Sequence, residues 1–504
     1  MFDLIIKGGK VLDGTGNPFY RSDIGIKDGK IASIAKNLEG AKKVIDANGL
    51  TVSPGFIDSH SHSDTQILTF PDQKEKVEQG ITLSVGGMCG GSIVPRTKNS
   101  DATRSVGEFM SYVKDMKLGS SVAFFIGHGN IRDAVMGTSD KDPTEKELEE
   151  MKSILREAME NGAIGMSLGL IYNPGCYSKT AEIVALAKVV AEYNGLISSH
   201  LRDEGDNLVR SVDEFLEIIR ASGVRGIISH HKAMKRDNFG KISQTLRMIK
   251  EANDEGYEVY CDVYPYTASH TSLSARFIPK EYRANGMMKE NLADPEIRTA
   301  IYEYNKEAWG KAADDLSWVQ ICSCNGYPMY EGLTVTEAAR IHGKGQFETV
   351  FDLIANSTHC ECCFFMMCEE DLETVLKFER SMICTDSHVA GASKVFHPRT
   401  LGSFPRALGR YARDNGVTSI AEMVRKMTSM PASVYGFKKK GLILEGYDAD
   451  ICIFDDEKII DRAEFNNCTR GAEGLAYVII DGDVVAENAI FNGVRRGKVI
   501  SKQG

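Results

Sequence analysis

His60-Ser61-His62 closes the run Val52-Ser53-Pro54-Gly55-Phe56-Ile57-Asp58-Ser59. Phe56-Ile57 reads as a short buried strand behind a Pro-Gly entry. Residues two apart on a strand point to one side, so His60 and His62 reach one point in space, as two imidazole ligands of a divalent ion such as zinc would. Alone, the pair reads first as two solvent-facing histidines on a loop. His128, His200, His230 and Asp386 also fall at or just after the ends of predicted strands. Five of the chain's 11 histidines at strand ends, together with an aspartate, favour a metal site over surface decoration. Cys89, in Gly86-Gly87-Met88-Cys89-Gly90-Gly91, lies just past another strand. A thiolate there would bind or bridge metal ions, the glycines letting the backbone come close; a buried inert thiol fits the same spacing.

These residues converge only if their strands share one end. Strands at Ile81–Val85, Val122–Ile126, Gly165–Leu168, Leu196–His200, Gly226–His231, Val259–Tyr264 and Met382–Asp386 alternate with helical stretches. Helices are expected near 144–161, 181–193, 212–222 and 242–253, the first with a Thr144/Glu147 capping box. Strands separated by helices mean parallel βαβ units, and about eight of them make a (β/α)8 barrel. Both ends of the chain are rich in short strands with Asp-Gly turns, Asp28-Gly29 and Asp481-Gly482. The fold expected is α/β: a TIM-like barrel over 55–430, a small β-sandwich built from 1–54 and 431–504, and an inserted helical subdomain or lid near 280–345.

The 504 residues are 42% hydrophobic and 26% charged, as in a globular protein. A net charge of -10 and a pI near 5.7 argue against a nucleic-acid or anionic-membrane binder. The chain opens Met1-Phe2-Asp3-Leu4 without a signal-peptide pattern, and no run approaches the ~18 apolar residues that span a membrane. The 12 cysteines lie largely in apolar contexts, as buried thiols of a reducing cytoplasm do. The denser Cys360-Glu361-Cys362-Cys363 has no matching pair nearby that would make it a metal knuckle.

The motifs taken together are specific. Pro54–His62, Gln79–Thr82 leading to Met88-Cys89-Gly90, Gly127–Arg132, Gly169–Gly175, Ser199–Glu204, Ile228–Lys232, Asp262–Thr267, Thr385-Asp386, His397-Pro398-Arg399 and Phe404–Tyr411 resemble the amidohydrolase superfamily and, within it, the D-aminoacylases (N-acyl-D-amino-acid deacylases). The resemblance runs through essentially the whole chain. It implies one tightly bound zinc on Cys89, His200 and His230, with His60 and His62 at a second, weaker position. It makes Asp386 the residue that orients a metal-acidified water, takes its proton and passes it to the leaving amine. Tyr172 and His128 are candidates to assist the carbonyl oxygen. Lys232, Arg399 and either Tyr264 or Tyr266 match residues that clamp the substrate α-carboxylate. Arg276 lies near the place where a second carboxylate would be read, and serves equally as an exposed loop residue.

The expected activity is zinc-dependent hydrolysis of small N-acyl-D-amino acids, of neutral or broad side chain. An N-acyl-D-glutamate or aspartate deacylase is one alternative. A dihydroorotase- or hydantoinase-like cyclic-amide hydrolase is another, although the bridging lysine usual there is missing from the matching strand end.

Overall fold

The computed structural model describes residues 1–95, 105–390 and 395–501. Eight parallel strands form its centre: β1 (Phe56–Asp58), β2 (Ile81–Gly86), β3 (Ser121–Phe124, continued at Ile126–Gly127), β4 (Gly165–Gly169), β5 (Leu196–His200), β6 (Arg225–Ile228), β7 (Val259–Val263) and β8 (Ser381–Ile383). β1 to β3 pair in order, and the second part of β3 continues through β4 to β8. Ile164 donates to Phe124 at 2.9 Å, and Asp386 N donates to His60 O at 2.8 Å, joining β8 to β1 and closing the barrel. Every residue of β2, β4 and β5 is buried, as expected of parallel strands covered on both faces.

The covering helices start and stop where local chemistry dictates. Thr144 caps Glu145–Glu160 in a full capping box with Glu147. Leu208–Ser222 ends at Gly223, whose φ of 71° is the left-handed conformation that terminates helices.

The two chain ends form one nine-stranded sheet. Its seam pairs Thr51–Pro54 antiparallel with Ile451–Phe454. Both Asp-Gly dipeptides have positive φ at both positions (Asp28 51°, Gly29 72°; Asp481 51°, Gly482 82°), the geometry a two-residue hairpin turn requires. The sheet curls on itself: Gly446 donates to Ile31 O at 2.8 Å, and Ile31 donates to Tyr447 O at 2.9 Å. Ile6, Ile24, Ile26, Val52, Ile451 and Ile479 fill the interior, each worth roughly 1.5–3 kcal/mol of burial.

Between β7 and β8 the chain leaves the barrel. Helices such as Pro295–Trp309, Val335–His342 and Gln346–Ala355 pack there with a three-stranded antiparallel sheet, Ser269–Ser272, Cys360–Phe364 and Val319–Cys324 in spatial order. This insertion has its own apolar core around Phe277, Phe351 and Phe364. None of the described helices is long and apolar enough to cross a membrane.

Candidate metal centre and its surroundings

The C-terminal ends of the barrel strands bring the strand-end residues together. His60 follows β1, Cys89 lies on the loop after β2, His200 ends β5, His230 follows β6 and Asp386 follows β8. Cys89 Sγ lies 3.3 Å from both His60 Nε2 and His230 Nε2. One donor atom each from His60, Cys89, His230 and Asp386 falls within 4.8 Å of all the others, and so do those of His200, Glu204 and His230. His230 belongs to both groups. His62 Nε2 is 3.1 Å from Asp386 Oδ1, and its ring stacks on His388.

Three of these residues hold left-handed backbone: Cys89 (φ 53°), His230 (φ 36°) and Asp386 (φ 48°). For a residue with a Cβ this costs on the order of 1–2 kcal/mol. The surrounding structure enforces it. Asp262 Oδ1 accepts from His230 N at 2.6 Å, and His60 O fixes Asp386 N. A Cβ at Gly169 would sit 1.9 Å from Cys89 O, so only glycine lets the Cys89 loop lie against β4.

The donor set fits a borderline-soft divalent ion such as zinc: a thiolate, imidazoles and carboxylates. Burial opposes ionisation of Cys89, yet the positive charges of His60 and His230 hold its thiol well below the ordinary range. Burial holds His200 towards the neutral form a ligand needs. Among the described residues, neither ring nitrogen of His200 has a hydrogen-bond partner, nor does Glu204 Oε2. Buried polar atoms left so are costly without a partner, and an ion between them supplies one.

Two acidic residues organise the imidazoles. Glu204 Oε1 sits 3.0 Å from His230 Nδ1 and 2.5 Å from Lys232 Nζ. In the tautomer that frees Nε2, His230 Nδ1–H donates to Glu204. Burial works against the Glu204 charge, but His200 and Lys232 hold its carboxyl well below the usual range. Asp262 Oδ2 stands 3.4 Å from His60 Nδ1, an electrostatic contact. Behind Asp386, the fully buried Lys76 donates to Asp58 Oδ2 (3.0 Å), Thr385 Oγ1 (2.6 Å) and Ser387 Oγ (3.0 Å), tying β1 to the loop that carries Asp386.

Among the residues singled out for substrate, Arg399 Nη1 donates to Asp386 Oδ2 at 2.7 Å. Tyr264 lies between the two cations, its ring centroid 4.7 Å from the Arg399 guanidinium and 5.8 Å from Lys232 Nζ. Tyr266 is engaged elsewhere, its hydroxyl on Asp461 Oδ2 at 3.0 Å and Arg406 over its ring. The Tyr172 ring meets His200 edge-on at 5.0 Å, and its hydroxyl shares a hydrogen bond with Thr271. His128 is committed to Glu182 at 2.9 Å, beside Arg132. Arg276 stacks over the Phe364 ring at 5.4 Å, and its buried Nε has no hydrogen-bond partner among the described residues. Glu204, Asp262 and Lys76 were not singled out from sequence. The usable signal for Glu204 was its position four residues past a strand-end histidine.

Comparison with known proteins places this architecture. A family model described as the amidohydrolase family matches residues 43–358 and 383–486. The D-aminoacylase of Alcaligenes xylosoxydans xylosoxydans is 32% identical, across 99% of this chain and 98% of its own. The N-acyl-D-glutamate deacylase of the same organism is 33% identical, across 97% and 94%. The crystal structure of N-acyl-D-glutamate deacylase from Bordetella bronchiseptica, complexed with zinc and a phosphonate mimic of the tetrahedral intermediate, matches with a TM-score of 0.86 at 31% identity, covering 99% of each chain.

Proposed function

Because the chain belongs to the amidohydrolase family, we propose that it is a metal-dependent deacylase that hydrolyses N-acyl-D-amino acids to a carboxylate and a free D-amino acid. The observation that carries this reading is one constellation: the donor atoms of His60, Cys89, His230 and Asp386 within 4.8 Å of one another, beside a tyrosine flanked by two buried cations. Relatives matched over nearly their whole length are named a D-aminoacylase and an N-acyl-D-glutamate deacylase.

Zinc is the ion proposed, held by Cys89, His200 and His230 with His60, Glu204 and Asp386 within reach, and His60 and His62 serving a second, weaker position. When bound, it supplies Lewis acidity, making a water nucleophilic near neutral pH and polarising the amide carbonyl. Asp386 is the general base and then the general acid. Arg399 holds its Oδ2, and burial notwithstanding, Arg399 and His230 keep the carboxyl ionised well below the usual range. Asp386 Oδ1 takes the proton of the attacking water and delivers it to the leaving amine. Arg399 and Lys232, with Tyr264 between them, receive the substrate α-carboxylate. Tyr172 stands over His200, where a hydroxyl donor steadies charge developing on the carbonyl oxygen. The thiol-rich, acidic chain is assigned to the cytoplasm.

A second reading concerns the side chain. An acidic N-acyl-D-amino acid is favoured by the unpartnered Nε of Arg276 and by the N-acyl-D-glutamate deacylase relative.

A screen of N-acetyl- and N-succinyl-amino acids of both enantiomers, with hydantoin included and released amine or ring-opened product measured, tests the assignment. Turnover of D enantiomers is expected, and the glutamate-to-methionine ratio decides the side chain. Turnover of L enantiomers alone, or of hydantoin alone, overturns it.

A further inference from the structure

On the insertion, two strands set five cysteines on opposite faces of one sheet. In the register of Val319–Cys324 against Cys360–Phe364, Gln320 opposes Cys363 and Cys324 opposes Cys360. A bulge between Ile321 and Ser323 inserts Cys322 as an extra residue. Its sulfur comes to 3.3 Å from Cys363 Sγ. Both are free thiols. Cys324, Cys360 and Cys362 instead belong to the apolar core of the insertion.

The surroundings of the two groups differ. Cys322 lines a cavity of about 230 Å³ together with His270, Glu361, His388, His397 and Arg399, room for several water-sized molecules. The hydrogen bond from Cys363 holds the Cys322 thiol below its ordinary range, burial opposing and His270 reinforcing. The hydrogen bond with Cys360 and burial push Cys324 up, and Cys360 and Cys362 are raised as well.

We propose that Cys322 and Cys363 form a peroxide-reactive thiol pair, closing to a reversible disulfide on the cavity wall that also carries Arg399. The co-reactant is a hydroperoxide small enough for the cavity. The Cys322 thiolate attacks the O–O bond. An S–O bond forms, the O–O bond breaks, and the departing oxygen leaves as water or alcohol after taking a proton. The sulfur has then been oxidised by two electrons to a sulfenic acid. Cys363 attacks that sulfur; the S–S bond forms as the S–O bond breaks, and the expelled hydroxide leaves as water with the Cys363 proton. Closing the pair brings the sulfurs from 3.3 Å to about 2.05 Å, and the bulge is where the strand can accommodate that movement. A thiol reductant reverses the reaction by exchange. None of this rests on the deacylase reading.

The test treats the metal-loaded, full-length protein with hydrogen peroxide, blocks remaining thiols with N-ethylmaleimide and maps the peptides by mass. The expected result is a linked peptide joining Cys322 to Cys363 that dithiothreitol splits, with Cys324 and Cys360 alkylated as in the untreated protein. In the Cys363→Ser variant, dimedone should label Cys322. Full alkylation of Cys322 and Cys363 after peroxide, or a link between Cys324 and Cys360 in their place, would overturn the proposal.

Discussion

Asp386 and Arg399 are a buried ion pair, Nη1 to Oδ2 at 2.7 Å, and the pairing leaves Asp386 Oδ1 towards His62 and His60 at 3.1 and 3.4 Å. One carboxylate thereby has a held oxygen and a working oxygen. Arg399 also stands 4.7 Å from the Tyr264 ring centroid, so the same guanidinium joins Asp386 to the proposed carboxylate clamp. Arg399→Met should raise KM, lower kcat/KM on the order of 100-fold, and move the acid limb of the pH–rate profile upward. Arg399 favours ionised Asp386, so its removal raises the pH at which the base becomes available. Steady-state kinetics from pH 5 to 9 check it; an unmoved acid limb counts against the pairing as the control of Asp386.

Glu204→Gln keeps the shape but removes the charge that faces His200, His230 and Lys232. A carboxylate that holds histidines proposed to bind a metal typically contributes 10–100-fold in affinity or activity. The variant should lose zinc at a chelator concentration roughly 10–100-fold lower than the unmodified protein does, measured by competition with a zinc-binding dye. Equal retention would mean that Glu204 only balances Lys232.

Lys76→Met should leave Asp58 as an uncompensated charge at the base of the site. Lys76 and Asp58 are both fully buried, and breaking such a pair costs about 3–5 kcal/mol. Urea denaturation of the metal-loaded protein measures the loss. A cost near zero would show that Thr385, which donates to both Asp58 oxygens, suffices for it.

Glu182 supplies a pH test away from the metal. Burial raises its carboxyl, but His128 and Arg132 hold it below the ordinary glutamate value of 4.5. A carboxylate with a depressed folded pKa stabilises the fold fully above its unfolded value and loses that contribution as pH falls through the folded one. The difference in Tm between the unmodified protein and Glu182→Gln should therefore be flat above pH 5 and shrink below it. A difference that grows on acidification would contradict the assignment.

Several parts of this site were legible because they sit where strands end. His60, His200, His230 and Asp386 follow runs whose apolar, β-branched character marks buried parallel strands, and a barrel brings such ends to one face. Thr144 and Glu147 announced their helix by a local rule that operates in the structure as written. Glu204 and Lys76 were hidden by their neighbours. Arg202-Asp203-Glu204 and Lys74-Glu75-Lys76 look like solvated charge runs, and only the tertiary fold turns Glu204 of the first and Glu75 and Lys76 of the second inward. Asp262 sits inside a hydrophobic strand pattern that gives no sign of its contacts with His60 and His230. The sheet of the insertion escaped for another reason. Its strands are short, polar or rich in cysteine, and they are stabilised by pairing across a distance in sequence that no local pattern encodes.

Asp386 is proposed to move protons at a metal-dependent deacylase centre. The most direct measurement is kcat of Asp386→Asn on the best N-acyl-D-amino acid from the screen, with zinc content determined on the same sample. A fall of about 10²–10⁴-fold is expected with zinc content near normal, since Cys89, His200 and His230 remain. Unchanged turnover in the zinc-loaded variant would contradict it.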